Sequence, residues 1–183
     1  MERKVQDSEV YKMIRLAQEK DLEQAAQIYD DIIDYEVQTV SYTNWQKGKY
    51  PTIRDAKKAF LEGTFYVGED DGVIWGSMIL NDLQLPEYAN IPWTIETDKV
   101  LVIHTLCISP QFKGQGKAKE LVLFAQQLAK ELGYEAIRLD TYEGNKPANN
   151  MYQKLGYHYA GCTEFFFQGY IHEILNCYEK KID

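Results

Sequence analysis

Residues 100–140 read VLVIHTLCISPQFKGQGKAKELVLFAQQLAKELGYEAIRLD. Val100 to Ile108 is almost wholly apolar, the pattern of a strand covered on both faces. After the loop SPQFKGQG, Leu121, Ala125, Leu128 and Leu132 recur at helical spacing, and Gly133 supplies a stop. Ala136 to Thr141 then reads as a second strand. Strand, helix and strand in that order make a right-handed crossover, so the two strands are expected to lie parallel in one sheet.

Outward from this unit, the flanks predict antiparallel additions. Met13 to Ala17 reads as a short strand, and Asp21 suits the N-cap of a helix containing Leu22, Ala25, Ala26 and Ile28. Tyr35 to Tyr50 is rich in Tyr, Thr, Trp and Lys without periodicity, and Thr52 to Glu62 regains a helical pattern ended by Gly63. Phe65 to Glu69 and Val73 to Leu80 flank Asp71-Gly72, a pair that favours a tight hairpin. Asn81 to Lys99 looks like an enlarged loop that shapes a pocket. A helix from about Lys146 to Leu155 ends at Gly156, and aromatic runs around Gln168-Gly169 predict a closing hairpin. The expected fold class is α/β: a mixed, mostly antiparallel sheet with a parallel central strand pair and flanking helices. Residues 1–12 are read as an N-terminal extension and 13–183 as one domain.

Composition excludes several classes. The 183 residues are 45% hydrophobic and 26% charged, ordinary for a globular chain. No apolar run nears the ~18 residues of a spanning helix, and the start MERKVQDSEVYK lacks the apolar core of a signal peptide, so no membrane association and a cytoplasmic location are expected. Acidic residues outnumber basic ones 28 to 20, a net charge of −8, which repels a nucleic-acid backbone. Cys107, Cys162 and Cys177 are far apart and form no CxxC pair, so buried inert thiols are expected and no metal site.

Between the first strand and its helix stands Lys113-Gly114-Gln115-Gly116-Lys117-Ala118. Small residues let backbone N–H groups converge on an anion, and a helix N-terminus adds partial positive charge. This suits a pyrophosphate cradle, though such a turn also serves simply to connect two elements. A P-loop is excluded, because Gln111 stands where its first glycine belongs and Ala118 where its hydroxyl belongs. A dinucleotide fingerprint finds an acid at the end of the next strand, Asp140, but Lys119 replaces its third glycine.

The strand, loop and helix together resemble the acetyl-coenzyme A signature of the GNAT superfamily of N-acetyltransferases. That signature, Gln or Arg, two residues, Gly, one residue, then Gly or Ala, falls on Lys113, Gly116 and Ala118, after the similarly typical Pro110. Lys113 departs from the usual first residue; it keeps arginine's charge and loses its fork. A second match lies in NKPANNMYQKLGY, through Asn145, Ala148, Tyr152, Gly156 and Tyr157. The likeness extends in outline over residues 13 to 180 and implies that acetyl-CoA is a cosubstrate. It implies cofactor contacts from the backbone of Leu106, Cys107 and Ile108, from the loop Lys113 to Ala118, and from Asn145. Tyr152 falls where family members carry a general acid beside the sulfur; Ala148, Met151, Tyr152 and Leu155 share a helical face, so the ring equally suits a core position.

Acetyl transfer to an amine needs a free base, since presenting an alkylammonium deprotonated at neutral pH costs roughly 4.6 kcal/mol. Strand alternation puts His104 on the face of Leu106 and Ile108, making it a candidate base, with Glu36 or a water chain as alternatives; a lone histidine in an apolar strand also suits the core. The resemblance implies direct transfer in a ternary complex to an amine of a small molecule or peptide, without Cys107 as nucleophile. The acids Asp30, Asp31, Asp34 and Glu36 beside Tyr35, Tyr42, Trp45 and Tyr50 suit a cationic acceptor. A non-catalytic acyl-CoA sensor and, from GxG and Asp140, a dinucleotide-dependent oxidoreductase stand as alternatives, and a homodimer is left open.

Overall fold

The computed structural model describes residues 13–167 and 169–183, so the extension expected over residues 1–12 lies outside the described part. The elements are β1 (Ile14–Leu16), α1 (Leu22–Gln38), α2 (Ile53–Leu61), β2 (Phe65–Asp70), β3 (Val73–Asn81), β4 (Val100–Ile108), α3 (Lys117–Leu132), β5 (Ala136–Tyr142), α4 (Lys146–Lys154), β6 (His158–Phe167) and β7 (Ile171–Lys181). The described strands form one sheet in the order β1-β2-β3-β4-β5-β7-β6. Only β4 and β5 run parallel, from Val100 opposite Ala136 to Ile103 opposite Leu139; every other neighbour is antiparallel. The expected mixed sheet is the one formed. A single parallel pair also removes the dinucleotide-binding alternative, whose fold needs successive parallel strands built by crossovers.

Local chemistry sets the element ends. Thr52 caps α2: its hydroxyl accepts from Arg54 N, and Asp55 accepts from Thr52 N at 2.7 Å, a reciprocal capping box. Asp21 does not cap α1 as expected. Its carboxylate accepts from Arg15 at 2.6 Å and from Gln18 N at 2.7 Å, because the turn before the helix supplies nearer donors. The α1 helix also runs to Gln38, past Tyr35 where periodicity lapses. Asp71 and Gly72 both take positive φ, 49° and 82°, the backbone that a two-residue hairpin turn demands.

Helices α3 and α4 cover one face of the sheet through Leu101, Ile103, Leu121, Leu139 and Tyr178. The other face is covered by α1 and α2, over Phe65, Val67 and Cys107, and by residues 82–99, over Val102 and Cys177. Burying each large apolar side chain stabilises the fold by about 1.5–3 kcal/mol. The 82–99 segment is tied down by polar groups too. Buried Glu179 accepts from the Thr94 backbone and hydroxyl at 2.6 and 2.7 Å, and Arg138 donates to Ile95 O and Gln84. Cys107 and Cys177 are buried as expected, but Cys162 is exposed, because β6 is the outermost strand. No helix among the described residues is long and apolar enough to cross a membrane.

Candidate active site

Beyond Ile103 and Leu139 the parallel strands part. β4 stays with β3 as far as Ile108 and β5 stays with β7 as far as Tyr142, and among the described residues no ladder joins Thr105–Ile108 to Asp140–Tyr142. A wedge therefore opens in the middle of the sheet, with backbone N–H and C=O groups along its edge. A cavity of about 570 Å³ occupies it, within the range of small-ligand sites.

A bulge shapes its wall. Ser77 opposes Cys107 while Ile79 opposes His104, so β4 carries one extra residue. Thr105 absorbs it at φ 49°, an unusual conformation for a β-branched residue. Its hydroxyl is held by Tyr50 Oη at 2.7 Å. The bulge breaks the alternation assumed from sequence. Leu106 and Ile108 pack with Leu101 and Ile103 on the α3–α4 side, so His104 alternates instead with Val102 on the opposite side. Its Nε2 meets Asn81 Oδ1 at 2.9 Å, and burial pushes its pKa down to about 4. His104 is thus a neutral ring that ties β4 to the start of the 82–99 segment.

The loop after β4 turns through two glycines in the left-handed region. Gly114 and Gly116 have φ of 78° and 77°, and a Cβ on either would meet nothing within 4 Å. Gly116 caps α3 without any side-chain bond, leaving the first amides of α3 and the positive end of its dipole facing the cavity mouth. Gly114, Gly116, Ala118, Lys113 and Lys117 all line the cavity. The Lys113 ammonium lies 4.8 Å from the centre of the Tyr35 ring and 5.7 Å from that of Tyr42, joining the cradle to the end of α1. The Lys117 ammonium is buried over the Trp75 ring and paired with Asp70 and Glu120. Its part in the cradle is therefore backbone. Gln115 does not line the cavity; its amide donates to Gln111 O at 3.4 Å.

On the α3–α4 side, Asn145 caps α4 by accepting from Ala148 N at 3.2 Å. Asn149, which sequence reading passed over, is the anchor of that helix. It donates to Tyr142 O and Asn145 O, and its oxygen accepts from Asn176 and Tyr178 at 2.9 and 2.7 Å. Tyr152, one turn on, is 5% exposed and lines the cavity. Its ring stacks edge-on with Tyr157, yet its hydroxyl makes no hydrogen bond among the described residues. Burial pushes its pKa well above the usual range, with smaller contributions from Tyr157 and Asp140, so it stays protonated at neutral pH.

On the opposite side two carboxyls join the cavity. Asp140, aligned with Ala136 along β5, accepts from Tyr88 Oη at 2.7 Å, and burial pushes it up to about 6. Glu173, aligned with Leu175 and Cys177 along β7, accepts from Asn44 Nδ2 at 3.2 Å, and burial pushes it up to about 7. Aromatic rings surround them: Tyr50 packs on Phe167 at 4.1 Å between centres and on Trp45 at 6.3 Å. Of the acids on α1 only Glu36 lines the cavity, and it is engaged by Thr43 N and Oγ1. The site is therefore two-sided. Anion cradle, Asn145 and Tyr152 stand at one mouth of the wedge, and carboxyls with aromatic rings at the other.

The chain resembles known acetyltransferases in sequence and in fold. The chain is 30% identical over 111 residues to N-acetyltransferase family 8 member 2 of Rattus norvegicus, covering 60% of this chain and 46% of that protein. It is 28% identical over 100 residues to streptothricin acetyltransferase of Escherichia coli, 55% of each. The chain thus spans about half the length of these curated relatives. An acetyltransferase of the GNAT family from Streptococcus agalactiae superposes with a TM-score of 0.77 at 26% identity, covering 93% of this chain and 95% of that one. The family model described as "Acetyltransferase (GNAT) family" matches residues 25–157, which takes in the wedge, the cradle and α4; the chain belongs to that family.

Proposed function

We propose that residues 13–183 form an N-acetyltransferase that moves an acetyl group from acetyl-CoA to a primary amine by direct transfer in a ternary complex. The observation that carries this is the two-sided wedge between β4 and β5, which lets a thioester and an amine enter from opposite faces and meet. The cradle of Lys113 to Ala118 takes the pyrophosphate on backbone amides, and the free edge of Leu106, Cys107 and Ile108 pairs with the pantetheine arm. Tyr152, protonated and without a hydrogen bond among the described residues, gives its proton to the departing thiolate. Cys107 is pushed up to about 11 by burial, which leaves no thiolate and supports transfer without a covalent enzyme intermediate. The carboxyls and rings of the far mouth favour a cationic acceptor, the class to which an unreacted alkylammonium belongs.

Two measurements test this together. Acetyl-CoA should raise the melting temperature, and coenzyme A release should be detected with at least one member of a panel of polyamines, aminoglycosides, amino acids and peptide N-termini. A thermal shift without turnover of any amine would favour an acyl-CoA sensor. No shift at millimolar acetyl-CoA would end the assignment.

A further inference from the structure

We infer that Glu173 is the general base of this site, taking the proton of the acceptor's ammonium before attack, while Asp140 acts only as a positioning residue; the inference rests on the acetyl-transfer reading above. Each carboxyl accepts one hydrogen bond through one oxygen among the described residues, and the two differ in the donor and its distance. Asp140 accepts from buried Tyr88 at 2.7 Å, and so holds the 82–99 segment against the wedge. Glu173 is held only by Asn44 at 3.2 Å through one oxygen, and its other oxygen makes no hydrogen bond among the described residues. That oxygen belongs to a carboxyl lining the cavity at the end away from the cradle, between Phe165 and Phe167 of the neighbouring strand and Tyr50.

The titratable and charged groups sharing the cavity wall with it are Asp140 and Tyr142 from β5, His104 and Cys107 from β4, Tyr152 from α4, Tyr35 and Glu36 from α1, Tyr42 and Tyr50 from the loop after α1, and Lys113, Lys117 and Lys119 from the cradle loop and the start of α3. None can compete for the role. His104 is depressed to about 4 and faces Asn81, Asp140 is held by the short bond from Tyr88, Tyr50, Tyr152 and Cys107 are raised by burial, Tyr35 and Tyr42 face the Lys113 ammonium, Glu36 is occupied by Thr43, and lysine carries no free pair while charged. Burial raises Glu173 to about 7, which brings its proton affinity closer to an alkylamine's while leaving it partly ionised at neutral pH. The step balances as follows. Ammonium and Glu173 carboxylate become free amine and carboxylic acid, and the amine lone pair forms the C–N bond. The C–S bond breaks as Tyr152 protonates the sulfur, and the nitrogen's second proton returns to the tyrosine oxygen. Glu173 then loses its proton to solvent.

The test compares wild type with Glu173→Gln using two acceptors in a coenzyme A release assay: the best amine of the panel, protonated at neutral pH, and hydroxylamine, which is neutral there. The variant should lose about 10²-fold or more in kcat/KM with the ammonium acceptor and little with hydroxylamine, while keeping the acetyl-CoA thermal shift. Equal loss on both acceptors, or none on either, overturns the role. Asn44→Gly supplies a second readout that leaves the carboxylate in place, since glycine tolerates the φ of 59° at that position. Removing this donor should move the acid limb of kcat/KM to higher pH, and an unmoved limb counts against Glu173. If wild type acetylates no amine at all, the acetyl-transfer reading falls first and this inference with it; if wild type is active and both variants match it, only Glu173 is wrong.

Discussion

Glu173→Gln should make the ligand-free protein more stable at pH 8, although it removes a charge that Asn44 helps to hold. Burial moves this carboxyl from an ordinary 4.5 to about 7. Between those values the folded chain keeps a proton that the unfolded chain has released, so this group's contribution to stability is present at low pH and is lost as pH rises. The full displacement corresponds to roughly 3 kcal/mol at 1.36 kcal/mol per unit. The carboxyl is only half-buried, and solvent screening reduces the realised cost to about 1–2 kcal/mol. Glutamine keeps the shape and can still accept from Asn44, but it never ionises. The variant should therefore match wild type near pH 4, where both side chains are neutral, and exceed it by about 1–2 kcal/mol at pH 8, or roughly 2–8 °C in melting temperature. Guanidinium unfolding at both pH values measures the difference. A variant less stable at pH 8, or equally stabilised at pH 4, would show that the carboxylate pays no desolvation cost.

Three further outcomes are expected. Tyr152→Phe should leave stability within about 0.5 kcal/mol, since the lost hydroxyl has no partner among the described residues, and should lower turnover by roughly 10²-fold in a saturated assay; unchanged turnover, with chemistry limiting, would make the ring a core residue only. Gly116→Glu should abolish the stabilisation by acetyl-CoA, which for wild type is about 2.7 kcal/mol at 100 times Kd, because it puts strain, bulk and negative charge in the cradle. Gly68→Ala should destabilise by about 1–3 kcal/mol in urea, since a Cβ there would stand 2.2 Å from the Trp75 ring; a neutral result would mean that β2 and the ring separate easily.

The half of the cavity proposed for the donor was legible because it is local in the chain. The cradle, its helix and the Asn145–Tyr152 segment each lie within a few residues, and glycines at positive φ and helical spacing announce them. The acceptor half is made by distant segments. Thr105 gives no sign in sequence that it absorbs a bulge, and that one residue moved His104 to the other side of the sheet. Asn149 looked like one polar residue among several on α4, and only the strands beside it reveal four bonds. Asp140 reads in sequence as the acid of a dinucleotide fingerprint, whereas Tyr88 of the enlarged loop donates to it in the fold. Glu173 did leave a trace: it interrupts the inward run of Ile171, Leu175 and Cys177 at a period of two, and a carboxyl in an apolar register implies either a partner or a use.

The charge argument for the acceptor also changes its footing. Asp30, Asp31 and Asp34 do not line the cavity; Asp34 pairs with Lys47, and Asp31 accepts from Gln27. A solvated ion pair contributes little to recognition, so those acids act only through the overall charge of −8, which steers cations toward the protein without placing them. Placement falls to Glu36, Asp140 and Glu173: both oxygens of Glu36 are engaged by Thr43, Asp140 is held by the short bond from buried Tyr88 at 2.7 Å, and Glu173 is held only by the longer bond from Asn44 at 3.2 Å. A cation entering the aromatic mouth therefore pairs with Glu173 at the least cost in existing bonds, and pairing there delivers its nitrogen to the side of the wedge opposite Tyr152. Recognition of charge and removal of the proton that carries it become one event at one residue. Acceptors whose nitrogen is already neutral gain nothing from that residue, so the preference for cations and the dependence on Glu173 should disappear together.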